Sequence, residues 1–153
     1  MEESEKISTA FFQKIKDSLI AKTLIVDLRD NEGGANRISY KFFTLIRQFA
    51  NDKKVYVLVN NGTMSQGEIF MLQLKELKNV KTLGQTTRGT IAYGSNFGKT
   101  ERLGNGSIAV YLTDMRDTGG LFKYEDVGVE PEIRLSSDRD WIEQVLEIVG
   151  RQE

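Results

Sequence analysis

The sequence predicts an α/β fold with a mainly parallel sheet flanked by helices, and three observations carry that prediction. Two short apolar runs, "KTLIVDL" (22–28) and "KVYVLVN" (54–60), are rich in β-branched residues and have the length of buried strands. A third candidate strand, "VKTLG" (80–84), follows. Segments of helical period separate the three, and a βαβαβ order calls for parallel strands joined by crossover helices.

The elements justify themselves in turn. Ile7, Phe11, Phe12, Ile15, Leu19 and Ile20 lie on one face of a helix over 3–20. After the first strand, "RDNEGGAN" (29–36) is a loop with two adjacent glycines. Ile38, Phe42, Leu45, Ile46 and Phe49 then line one side of a helix over 37–51. The second strand leads through "NNGTMSQGE" into a helix of about 12 residues, three turns of the usual 3.6 residues. Beyond Gly84 the texture changes to a glycine- and threonine-rich stretch without a period. "SIAVYLTDM" (107–115) alternates like a strand after the turn "LGNG", and "LFKYEDVGVEPEIRL" reads as irregular to extended. A closing helix has Ser137 and Asp140 at capping spacing and Trp141, Val145, Ile148 and Val149 on its inner face.

Composition narrows the function. A chain of 153 residues suits one domain with a real core. A net charge of −1 argues against a nucleic-acid binder, which would show a basic excess. With no cysteine, thiol catalysis and thiolate metal sites are excluded; with no histidine either, a metal site would need carboxylates alone, and no clustered set is present. No apolar run reaches the length of a membrane span. The first residues, "MEESEKISTAFF", have neither the pattern of a signal peptide nor that of a transit peptide.

Ligands of open α/β sheets sit beyond the carboxyl ends of the strands. Two loops leave the sheet there, "RDNEGGAN" and "NNGTMSQGE", and each opens a helix with free backbone N–H groups. Gly33 and Gly34 permit close backbone approach, so the two loops together are suited to cradle an oxyanion. Ser65 and Glu68 have the spacing of a capping box, so spacing reads Ser65 first as a helix cap. The two roles compete, because a hydroxyl bonded to its own helix is aimed away from a substrate.

Five stretches in order resemble the C-terminal processing peptidases, or tail-specific proteases, serine peptidases with a ClpP/crotonase-like core. "LIVDLRDNEGG" (24–34) is similar to the family's "LilDLRxNxGG", and "VYVLVNNGTMSQGEIF" (55–70) to "vvVLvnxxtaSaxEif". "LGQTTRG" (83–89), "LGNGSIAVYLT" (103–113) and "VGVEPEI" (127–133) resemble "vGexTxG", the "LpdGsxlxlT" hairpin and "xGVePDi". The resemblance implies Ser65 as nucleophile, an oxyanion hole from the N–H of Gly33 or Gly34 and that of Gln66, and support from Glu68 and Thr87. It implies peptide or protein substrates, no metal, no organic cofactor, and work outside the cytoplasm.

One departure matters. The Ser–Lys branch continues as "TxGK" with the lysine as base, whereas this chain has Thr90; Lys99, nine residues on, reads as a solvated lysine. The branch resembling the tricorn core uses Ser–His–Glu, and Glu125 stands at its glutamate, with a surface carboxylate or a loop salt bridge as the equal alternative. The expectation is therefore a single catalytic core, residues 1–153, from the C-terminal part of a longer protein whose N-terminal lobe carries the histidine, with or without a PDZ domain. The isolated chain is then nearly inert. The competing expectations are a peptidase-like module that binds a peptide or apolar ligand without cutting it and, more remotely, a crotonase-type thioester enzyme.

Overall fold

The computed structural model describes residues 2–92, 100–112 and 119–151. Four strands form one parallel sheet: β1 (Thr23–Asp27), β2 (Lys54–Val59), β3 (Val80–Gly84) and β6 (Ile133–Arg134), in the order β1-β2-β3-β6. Register pairs Leu24 with Val55, Val57 with Thr82 and Leu83 with Ile133. Between the strands run α2 (Asn36–Phe49) and α3 (Gln66–Lys75); α1 (Glu2–Ile15) precedes them and α4 (Trp141–Gly150) closes the chain. A separate antiparallel pair, β4 (Glu101–Leu103) and β5 (Ile108–Val110), forms the expected hairpin.

β2 is flanked by a strand on each side and covered on both faces, which is why its sequence is continuously apolar. Val55, Val57 and Val59 point into the layer of α2 and α3, against Ile46, Phe49, Phe70, Met71 and Leu74. Tyr56 and Leu58 point the other way, against Trp141 and Val145 of α4. The period-two alternation of a strand thus serves two cores at once.

Three elements differ from the sequence reading. α1 ends at Ile15 because the Ile15 carbonyl accepts from the Ser18 N–H (3.0 Å) and the Ser18 hydroxyl (3.0 Å). That takes up the acceptor a longer helix would use, and a serine so placed competes with the backbone ladder. Leu19 still reaches the core; Ile20 is exposed. β5 is shorter than the reading over 107–115, and residues 113–115 of that reading lie outside the described residues. The stretch read as irregular contains a 3-10 turn at Leu121–Tyr124 and the two-residue β6. Asp140 caps α4 by accepting the Glu143 N–H at 3.0 Å, while Ser137 lies in the preceding turn.

At the carboxyl end of β1, Asp27 takes the Arg29 guanidinium at 2.9 Å and 2.6 Å, and Arg29 lies over the Trp141 ring at 5.6 Å. The Arg29 hydrogen bond holds the Asp27 carboxyl below its ordinary range. A depressed folded value adds stability above the unfolded value of about 3.9, lost as pH falls through the folded one. Both side chains are substantially solvent-exposed, so the pair adds under about 1 kcal/mol. Asp27→Asn is expected to lower stability by that small amount at pH 7, and the deficit should fade below about pH 4, as urea titrations over this range would read.

Candidate functional site

Because every strand of the sheet runs the same way, the loops after β1, β2 and β3 emerge at one edge. Direct hydrogen bonds weld them together. The first meets the second through Met64 N–H to Asn31 carbonyl (2.9 Å), Thr63 hydroxyl to Leu28 carbonyl (2.7 Å) and Asp30 N–H to Asn60 Oδ1 (2.9 Å). The second meets the third through Ser65 N–H to Thr90 carbonyl (3.1 Å) and Arg88 N–H to Thr63 carbonyl (3.0 Å).

Ser65 occupies the corner between β2 and α3 with φ 53° and ψ −123°. A positive φ is rare for a residue with a Cβ and costs on the order of 1–3 kcal/mol, so the surroundings must impose it. Glu68 does much of that. It is fully buried, and its Oε2 accepts from the N–H groups of Ser65 (3.0 Å) and Thr90 (3.1 Å). Its Oε1 accepts from the Thr87 hydroxyl (2.5 Å) and the Gly89 N–H (2.8 Å). The spacing alone reads as a helix cap; the structure adds a carboxylate that joins the Ser65 corner to the whole 87–90 turn. Thr87 extends the network, its hydroxyl accepting from the Val129 N–H at 2.8 Å.

Gly33 lies against this corner. A Cβ built there would stand 2.8 Å from the Gln66 nitrogen and 3.0 Å from the Ser65 Cβ. The Gly33 N–H is donated to Asn31 Oδ1 (3.0 Å), whereas Gly34 faces open space. Gln66 is the first residue of α3, where helix geometry provides no intrahelical acceptor for its N–H. The sheet edge therefore brings Gly33, Gly34, Ser65 and Gln66 together.

Glu125 reaches the same assembly from the far side. Its Oε2 accepts from the N–H groups of Ile91 (3.1 Å) and Ala92 (2.6 Å), which fixes the carboxylate, while its Oε1 is buried and has no hydrogen-bond partner among the described residues. Segment 124–129 is anchored to the third loop by Asp126 N–H to Gly89 carbonyl (2.7 Å) and Thr87 N–H to Val129 carbonyl (3.2 Å). Glu125 is thus half-buried and held by backbone N–H groups. Lys99 lies outside the described residues.

The sequence reading assigned no site role to the Thr90 backbone or to Asn31. Asn31 has a legible signal, since an asparagine side chain in a turn bonds the backbone two residues on, here the Gly33 N–H. A groove of about 650 Å³ also opens at this edge on the α4 side, lined by residues including Arg29, Asp30, Asn60, Gln85 and Arg139. Ser65 is not among its lining residues, and within it Arg29 pairs with Asp27 and Asn60 with Asp30.

No curated protein matches this chain. The model of peptidase family S41 matches residues 36–135, more than half of the chain. Among solved structures, the tricorn protease superposes with a TM-score of 0.68 at 22% identity, over 94% of this chain and 16% of that one. A lipoprotein from Streptococcus agalactiae gives 0.63 at 19%, over 97% and 62%. The photosystem II D1 C-terminal processing protease gives 0.60 at 21%, over 89% and 40%. At these identities the likeness establishes the fold, and the chain spans less than two thirds of each of these proteins.

Proposed function

The chain belongs to peptidase family S41, and from that premise we propose that it is the catalytic core of a serine peptidase with Ser65 as nucleophile. The observation that carries the reading is the Ser65 corner itself. A serine at φ 53° between a strand and a helix, pressed against a glycine loop, has the geometry of an exposed nucleophile on a strained turn.

In this reading Ser65 Oγ attacks the scissile carbonyl of a peptide. The oxyanion rests on the N–H of Gln66 and that of the double-glycine loop. Of the two glycines, Gly34 suits the role better, because the Gly33 N–H already serves Asn31. A histidine from outside these residues takes the serine proton, and Glu125 Oε1 receives that histidine's N–H, in the manner of a Ser–His–Glu triad. The base then returns the proton to the leaving amine, and water hydrolyses the acyl-enzyme. The mechanism uses no metal or organic cofactor. The residues 1–153 form one core of a longer protein, and the resemblance to the tricorn-like branch supports this arrangement over a Ser–Lys dyad. The resemblance to the C-terminal processing peptidases as a family supports action on peptides near their C-termini and outside the cytoplasm, and cell fractionation would check the location.

A protein extended N-terminally to include the histidine is expected to cleave a peptide library, and a fluorophosphonate should stop it; residues 1–153 alone should not cleave. The absence of histidine from the chain favours one second reading, a peptide-binding module without catalysis. An extended protein that binds peptides and leaves them whole would support that module against the peptidase.

A further inference from the structure

The side chain of Gln66 makes a contact that the mechanism has not used. Its Nε2 donates to Asn36 Oδ1 at 3.2 Å. Gln66 is the first residue of α3 and Asn36 the first of α2, so the bond joins the two loops that open these helices. In the pattern "taSaxEif" an alanine follows the serine; this chain has Gln66 there, so the bond is not part of that pattern.

The bond matters because of what it flanks. The double-glycine loop is held on both sides of Gly34. On one side the Gly33 N–H is donated to Asn31 Oδ1 (3.0 Å), and a Cβ added to Gly33 would stand 2.8 Å from the Gln66 nitrogen. On the other side, two residues beyond Gly34, the Gln66 amide holds Asn36. Gly34 itself has φ +132° and open space where a Cβ would stand. A glycine has no side chain to restrict its backbone, so the direction of the Gly34 N–H is set by its flanks.

We infer that Gln66 and Asn36 are positioning residues, joined in a side-chain tie that holds the Gly34 N–H in place relative to the Gln66 N–H. Gln66 then supplies one oxyanion donor from its backbone and aims the other through its side chain. Donors fixed in advance stabilise the developing oxyanion without reorganising as the reaction proceeds, and a donor that drifts loses that advantage. Asn36 is exposed and Gln66 half-buried, so the effect of the tie falls on the rate and little on global stability. The inference rests on Ser65 as nucleophile and on Gly34 and Gln66 as donors.

The test uses the N-terminally extended protein. Gln66→Met has the length of glutamine and no N–H; Asn36→Ala removes the acceptor. Each is expected to lower kcat for peptide cleavage by about 5-fold, the scale of one neutral hydrogen bond. KM should not change, because the oxyanion exists only beyond the ground state. The double variant should be no slower than the single ones, since both remove the same bond. Urea midpoints should stay within error of the parent.

A parent-like kcat in either single variant overturns the tie, as do losses that multiply in the double variant. A change confined to KM, or a fall in urea midpoint that matches the loss of rate, overturns it as well. If the unsubstituted extended protein gains no fluorophosphonate adduct at Ser65 or leaves peptides whole, the peptidase reading itself has failed, and the tie falls with it.

Discussion

Glu68→Ala is expected to destabilise the protein by about 3–5 kcal/mol, a large share of a typical domain's 5–15 kcal/mol. The carboxylate lies at zero exposure and accepts from four donors: three backbone N–H groups and the Thr87 hydroxyl. Alanine leaves the Thr87 hydroxyl and the Gly89 and Thr90 N–H groups without this acceptor, leaves the Ser65 N–H only the Thr90 carbonyl, and opens a cavity. The carboxylate's hold on the positive φ at Ser65 is then gone, so Ser65 reactivity should fall further than stability alone explains. Glu68→Gln has nearly the same shape but turns an N–H toward donors, and it should lose part of the same stability. Urea midpoints of the three proteins check the order. A midpoint for Glu68→Ala within error of the parent would show that the turn does not depend on this carboxylate.

Gly33→Ala is expected to slow fluorophosphonate labelling of Ser65 by about 10²-fold in the N-terminally extended protein. Gly33 has φ +91°, and its new Cβ would stand 2.8 Å from the Gln66 nitrogen and 3.0 Å from the Met64 carbonyl oxygen. Both contacts are with backbone, so one loop must move, and the moving part carries an oxyanion donor. Displacements of about 1 Å at such donors cost on that order. Gly34→Ala is the built-in comparison. It carries a positive φ of 132° but nothing within 4 Å of the added carbon, so its effect should be the smaller of the two. Equal effects would mean that strain, and not the contact between the loops, sets the rate.

The sheet was legible because its physics is local and repetitive. Val55 to Val59 announce a strand covered on both faces, and the helical stripe through Ile46 and Phe49 announces the layer that covers one of them. β6 was not legible, since two residues paired with Leu83 and Gly84 carry no pattern of their own. At the site, residue types pointed to the loops after β1 and β2, and the structure brings Gly33, Gly34, Ser65 and Gln66 to one edge. The reach of Glu68 across to Thr87, Gly89 and Thr90 could not be read from a serine and glutamate at cap spacing, because the partners are about 20 residues away. Nor could φ 53° at Ser65 be read, since only glycine advertises a positive φ in sequence.

Ser65 as the nucleophile is tested most directly by mass spectrometry of the N-terminally extended protein after exposure to a fluorophosphonate. The expected result is one adduct, on the peptide that contains Ser65, absent in Ser65→Ala. An extended protein that folds, binds peptide and gains no adduct at Ser65 would contradict it.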